Sequence, residues 1–162
     1  MESRNNITLH ETEKDDLHAF FEFQLDEEAN YLAAFMPKDS HDKTAYIEKH
    51  TRHLADPTIN MRTIKVDGVI AGSLAKFIMD NEAEITYWID RRFWGQGVAT
   101  YALKEFLKIE QSRPIYGRVA FDNYGSQRVL EKCGFVKVGM DKGFANARQE
   151  EIEEFIYRLS DH

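Results

Sequence analysis

A chain of 162 residues, 43% hydrophobic and 30% charged, suits one globular core and leaves little room for two. Its formal net charge of −7 disfavours a nucleic-acid binder, which presents a positive face to phosphates, and its single cysteine, Cys133, excludes an internal disulfide or a cysteine-built metal centre. No stretch approaches the roughly 20 apolar residues of a membrane span. The polar opening MESRNNITLHETEKDD does not read as a secretory signal, so a cytoplasmic protein with no membrane or nucleic-acid partner is expected, as one domain over residues 1–162.

Ile7 to Thr12 alternates as a short first strand. A helix is expected over LHAFFEFQL, capped by Asp15 or Asp16, with Leu17, Phe20 and Phe21 on one face. YLAAFMPKDS, with Pro37 and a polar cluster, reads as irregular; it is either a core-packing connection or a substrate-facing wall. A second helix is expected from Asp42 to Leu54. MRTIKVDGVIAGSLAKFIM reads as a hairpin turning at Asp67-Gly68. Glu82 to Asp90 alternates as a strand, with Ala83, Ile85, Tyr87 and Ile89 on one face and Glu84, Thr86 and Trp88 on the other. Helical spacing runs from Gly95 to Ile109, a strand from Pro114 to Phe121, and a helix from Asn123 to Cys133 ended by Gly134. FVKVGM and EEFIYRL read as two last strands, with the polar segment DKGFANARQEE as their connecting loop. The order describes an α+β domain: a mixed sheet with about four helices against it.

The sharpest local feature is the turn Arg91-Arg92-Phe93-Trp94-Gly95-Gln96-Gly97 between a strand and a helix. Two glycines permit unusual dihedrals and close approach of a ligand. The free N–H groups of the helix start suit an anion, and two arginines add positive charge in an acidic chain. The Gly-Lys-Ser/Thr ending of a P-loop is absent, and the glycine spacing is not that of a dinucleotide fold. A tight turn without a ligand explains the same residues equally well.

Arg92-Phe93-Trp94-Gly95-Gln96-Gly97 resembles the Arg/Gln-x-x-Gly-x-Gly/Ala motif of the GCN5-related N-acetyltransferase (GNAT) superfamily, and the run from Tyr87 looks like its ribosomal-protein N-terminal acetyltransferase branch. Asn123, Ser126 and Val129 to Phe135 resemble the family's second block. The resemblance implies a twisted, mostly antiparallel sheet splayed between its fourth and fifth strands. It implies acetyl-CoA as cofactor, with no metal. The pyrophosphate would lie on the backbone of Arg92, Phe93, Trp94, Gly95, Gln96, Gly97, Val98 and Ala99. The pantetheine arm would run along Tyr87, Trp88 and Ile89, with Asn123 and Ser126 hydrogen-bonding nearby.

The implied reaction is direct attack of a neutral amine on the thioester in a ternary complex, with no covalent enzyme intermediate. Cys133 is then a packing residue. Glu84 is the expected base or acceptor-orienting carboxylate, with Glu82 as competitor. Where many relatives carry an acidic tyrosine this chain has Leu130, so Ser126 is the expected hydroxyl for the leaving thiolate. His41, His50 and His53 form no metal motif. The acceptor is expected to be a small-molecule or peptide amine (an N-terminus, a lysine or a small amine), with the acidic balance tilting toward a cationic or peptide one. The alternative is a domain that binds acyl-CoA or a partner without transfer. A monomer or homodimer is expected.

Overall fold

A computed structural model of the chain describes residues 6–38 and 40–160. In chain order its elements are β1 (Ile7–Glu11), α1 (Asp16–Phe23), α2 (Glu27–Ala33), α3 (Lys43–Ala55), β2 (Asn60–Val66), β3 (Val69–Met79), β4 (Glu82–Ile89), α4 (Val98–Ile109), β5 (Ile115–Ala120), α5 (Tyr124–Lys132), β6 (Val136–Ala145) and β7 (Glu150–Leu159). The strands form one sheet in the order β1-β2-β3-β4-β5-β7-β6. Every neighbouring pair is antiparallel except β4 with β5.

The turns follow from their residues. Asp67 and Gly68 sit at φ 51° and 82° between β2 and β3, the left-handed pair that a two-residue hairpin needs. Asp80 and Asn81 do the same between β3 and β4, at 52° and 64°. Helices α4 and α5 touch each other and cover one face of the sheet, while α1 to α3 cover the other. Val98, Ala102, Leu103, Phe106 and Leu107 form the buried stripe of α4 against Ile85, Ile89 and Ile115. Burying side chains such as Leu103 and Phe106, both 0% exposed, contributes about 1.5–3 kcal/mol each.

Two expectations need correction. The segment read as irregular begins with a helix, α2, so five helices flank the sheet, with three of them between β1 and β2. Asp26 starts α2 by accepting from the N–H groups of Glu28 and Ala29, and Glu27 and Glu28 suit its positive end. Seven residues make only two turns, too short for a periodic signal. The polar segment after Met140 is mostly strand: β6 and β7 pair as far as Ala145 with Glu150, leaving Asn146 to Gln149 as the loop. β6 is an edge strand exposed along nearly all its length, so polarity there does not mark a loop.

That loop braces the α1–α3 face. Ala147 N–H donates to the Ala34 carbonyl at 3.1 Å and Asn146 Nδ2 to the Met36 carbonyl at 2.7 Å. Arg148 forms a two-pronged pair with Asp122, both contacts at 2.7 Å, and donates to the Tyr31 carbonyl at 2.8 Å.

Candidate active site

β4 and β5 run together through three residue pairs only, from Ala83 with Ile115 to Ile85 with Gly117. Past them β4 stays on β3 as far as Ile89, and β5 stays on β7 as far as Ala120. The sheet therefore divides at Thr86, and the edge of β4 from Thr86 to Ile89 that faces away from β3 has no partner strand.

Beyond β4 the chain makes a tight turn at Arg91–Phe93, with the Asp90 side chain accepting from Arg92 N–H. Gly95 and Gly97 lie at φ 77° and 76°, and a Cβ added to either meets nothing within 4 Å. Conformation, not crowding, calls for glycine here. Gly97 opens α4, and the first backbone donor of that helix to be satisfied is Tyr101, at 3.1 Å from the Gly97 carbonyl. The N–H groups of Val98, Ala99 and Thr100 make no hydrogen bond with any described residue. They are the free donors of a helix start, pointed by its dipole toward an anion.

These groups border a cavity of about 630 Å³ between β4, α4, α5 and α2. Of the residues read from the sequence for a cofactor, Tyr87, Trp88, Ile89, Phe93, Trp94 and Gly95 line it. So do Gly97, Val98, Ala99, Asn123 and Ser126. Arg92 and Gln96 do not: the Arg92 guanidinium donates to Asp90 at 2.7 Å, and Gln96 Nε2 turns back to the Arg92 carbonyl at 3.1 Å. Arg91 is also engaged, pairing with Asp26 and with Glu28 at 3.0 Å. The free positive charge of the cavity comes from α5 instead, through Arg128 and Lys132. Sequence reading missed this pair, although Tyr124, Arg128 and Lys132 recur at four-residue spacing on one helix face. It also missed α2, whose Ala29, Leu32 and Ala33 form part of the wall.

Asn123 caps α5, its Oδ1 accepting from Ser126 N–H at 3.2 Å while its Nδ2 donates to the Leu32 carbonyl at 3.3 Å. Ser126 Oγ stands 2.5 Å from the Tyr87 hydroxyl. Burial pushes the Tyr87 hydroxyl up to about 12, so it stays protonated at neutral pH. Leu130 is 2% exposed and packs on Gly117, where a Cβ would come within 3.1 Å of it. Cys133 packs against the core, its thiol pushed up to about 11 by burial, and it lies outside the cavity lining.

Glu84 shares the strand face of Thr86 and Trp88 but is not in the lining of this cavity. It is 5% exposed and accepts from Arg118 Nε at 3.3 Å. Burial raises its pKa, and Arg118 pulls it back. Glu82 is exposed at the start of β4.

A second cavity of about 260 Å³ lies on the other face of the sheet, under α1 and α3. Tyr87 and Trp88 line both cavities, which makes the division of the sheet the place where the two meet. Tyr46 and His50 of α3 stack there with ring centroids 4.1 Å apart. Burial first, then the charges of His53 and Lys49, pushes His50 down to about 4, so its ring is neutral at pH 7. Among the described residues no three His, Cys, Asp or Glu side chains gather to hold a metal ion, and no helix is long and apolar enough to cross a membrane.

The acetyltransferase (GNAT) domain family matches residues 6–136 of the chain. The comparison with curated proteins finds no match. Among solved structures, the microcin C7 self-immunity acetyltransferase MccE, in complex with acetyl-CoA and AMP, is 19% identical, with a TM-score of 0.79 over 96% of this chain and 92% of its own. RimL, a ribosomal L7/L12 alpha-N-protein acetyltransferase in complex with coenzyme A, is 18% identical, with a TM-score of 0.78 over 95% of this chain and 93% of its own. The ribosomal-protein-S5-alanine acetyltransferase of Vibrio fischeri is 14% identical, with a TM-score of 0.77 over 98% and 95%. At these identities the likeness is one of fold.

Proposed function

The chain belongs to the GNAT acetyltransferases, and from that premise we propose that it passes an acetyl group from acetyl-CoA to a primary amine by direct attack in a ternary complex. The observation that carries this reading is the meeting of two cavities at Tyr87 and Trp88, where the sheet divides. One cavity suits a long, anionic donor. The other suits a small acceptor.

The larger cavity fits the donor's chemistry. Its volume lies within the roughly 300–1,000 Å³ usual for small-molecule sites. The unpaired N–H groups of Val98, Ala99 and Thr100 receive a pyrophosphate, and Arg128 and Lys132 add charge for its phosphates. The unpartnered edge of β4 at Tyr87 to Ile89 offers backbone groups to the amide arm, and Asn123 and Ser126 border its path. Bound there, acetyl-CoA supplies an activated carbonyl and a thiol leaving group.

The amine approaches from the smaller cavity and must shed a proton to attack. Glu84 takes that proton through water: it lies two residues, roughly 7 Å, along the strand face from Thr86, and its burial raises its basicity. Backbone N–H groups on the open edge of β4 meet the charge that develops on the carbonyl oxygen. The Tyr87–Ser126 hydroxyl pair provides a hydrogen bond, and then a proton, to the departing thiolate.

The test is release of free CoA thiol from acetyl-CoA across a panel of amines, beside calorimetric titration with acetyl-CoA alone. Saturable binding and thiol release with at least one amine are expected. Absence of acetyl-CoA binding would sink the reading of the α4 turn. Binding without release on any amine would favour a domain that holds acyl-CoA without transferring it.

A further inference from the structure

The lining of the smaller cavity is chemically uneven. Its walls are apolar and aromatic: Phe20 and Phe23 from α1, Tyr46 from α3, Met61 from β2, and Trp88 from β4. Its polar groups without charge are Gln24, Ser40, Ser73, Thr86 and the neutral ring of His50, besides the tyrosine hydroxyls. No carboxylate lines it among the described residues, and Lys49 is its one charged side chain. Lys49 makes no ion pair with any described residue, and its charge is felt by His50 and His53.

On the reading that this cavity holds the acceptor amine, we infer that it selects a small amine with an apolar or aromatic body and an anionic group, of the size and charge of an amino acid. The amine and the anion, carried on one carbon, lie between β4 beside Trp88 and Lys49, and the body lies among the aromatic rings. The volume of about 260 Å³ is smaller than the roughly 300–1,000 Å³ that drug-sized ligands fill. A polyamine, or the lysine of a basic peptide, brings a second ammonium or basic neighbours into a space with no carboxylate and a resident ammonium. The net charge of −7 attracts cations to the surface as a whole. Exposed charges beyond roughly 8 Å are largely screened at physiological ionic strength, so the local lining decides which amine is held. This reverses the tilt toward a cationic acceptor that the overall acidity suggests.

The experiment compares phenylalanine and a phosphonate analogue with phenethylamine, which lacks the anion, and with spermidine and lysine-rich and alanine-terminated peptides. Each is assayed by thiol release with the full chain and saturating acetyl-CoA. The anionic amines are expected to exceed phenethylamine in kcat/KM by about threefold to fivefold, the scale of an exposed ion pair. Lys49→Ala narrows that ratio, chiefly through KM, and Lys49→Arg restores much of it. Preference for spermidine or for either peptide overturns the inference, and so does a ratio that Lys49→Ala leaves unchanged. Failure of the anionic amines to turn over while acetyl-CoA binds overturns it alone. Failure of acetyl-CoA to bind removes the acetyl-transfer reading and this inference with it.

Discussion

A leaving thiolate needs a hydroxyl within reach, and at position 130 the chain offers leucine. The structure shows what that leucine does instead: it is 2% exposed and fills the space above Gly117. A hydroxyl pair stands elsewhere in the same cavity, Tyr87 against Ser126. Tyr87→Phe and Ser126→Ala should each lower kcat by about 10²-fold, the lower range of general-acid contributions. Calorimetric affinity for acetyl-CoA should fall far less than kcat, since the pyrophosphate donors of α4 are untouched and only the border of the arm's path changes. Equal kcat in both variants would mean that the thiolate leaves without help from this pair. Each residue was singled out alone, Tyr87 on an alternating strand and Ser126 by the resemblance of its block to the family's. Their partnership was not, because 39 positions separate them and only the packing of α5 on the sheet joins them. The same limit hid the fate of Arg91 and Arg92. Their charge is plain in the sequence, but their carboxylate partners are chosen by the fold.

Among the elements, α2 shows what short-range pattern misses and what it then controls. Asp26 caps this helix and also accepts from the Arg91 guanidinium, which further pairs with Glu28 and lies 5.5 Å from the Trp94 ring. One carboxylate thus fixes the start of α2 to the turn that precedes α4, two walls of one cavity. The long elements, α4 above all, were legible because their apolar stripe repeats over three turns. The tether was not, because it joins two short irregular segments. The Arg91 hydrogen bond, more than the cap, holds Asp26 down to about 2, below its ordinary 3.8. A depressed carboxylate stabilises the fold above its unfolded pKa, and that contribution is lost as pH falls through the folded value. The tether should therefore persist at pH 5 and fail between about pH 4 and 2. Arg91 is about half exposed, so the tether is a small part of the stability and its loss is read locally rather than in unfolding. The indole N–H resonance of Trp94, which donates to the Ile89 carbonyl at 2.8 Å, reports the change. It should titrate in that window in the parent protein. In Asp26→Asn it should already hold its low-pH position at pH 5. An identical titration in both proteins would exclude Asp26 as the cause.

Across the whole molecule, the division that creates the two cavities also weakens the sheet. Three residue pairs join β4 to β5, and everything from β5 onward depends on them and on what bridges the seam. Arg118 is a bridge: its guanidinium reaches Glu84 on β4 at 3.3 Å, Glu154 on β7 at 3.2 Å and Asp141 on β6 at 3.8 Å. Four strands therefore share one cation. The Glu84 and Glu154 side chains are 6% and 18% exposed, and burial raises the pKa of both while Arg118 opposes the rise. Removing the cation leaves the buried Glu84 carboxylate facing the half-buried one of Glu154. Arg118→Ala should cost about 1–3 kcal/mol at pH 7, the loss when a buried acceptor (here Glu84) loses a charged donor that is itself partly exposed. The pH dependence follows from the direction of the shifts. A carboxyl whose folded pKa lies above its unfolded value favours folding when protonated, so the variant, without the opposing cation, should gain more stability than the parent as pH falls from 7 toward 5. Adding Glu84→Gln to Arg118→Ala should recover part of the loss, because the charge left behind is then gone. Urea unfolding of the three proteins at pH 7 and pH 5 measures all of this. A cost under about 1 kcal/mol, with no pH dependence, would place Arg118 among surface charges. The seam would then rest on its three ladder pairs and the helices that cross it.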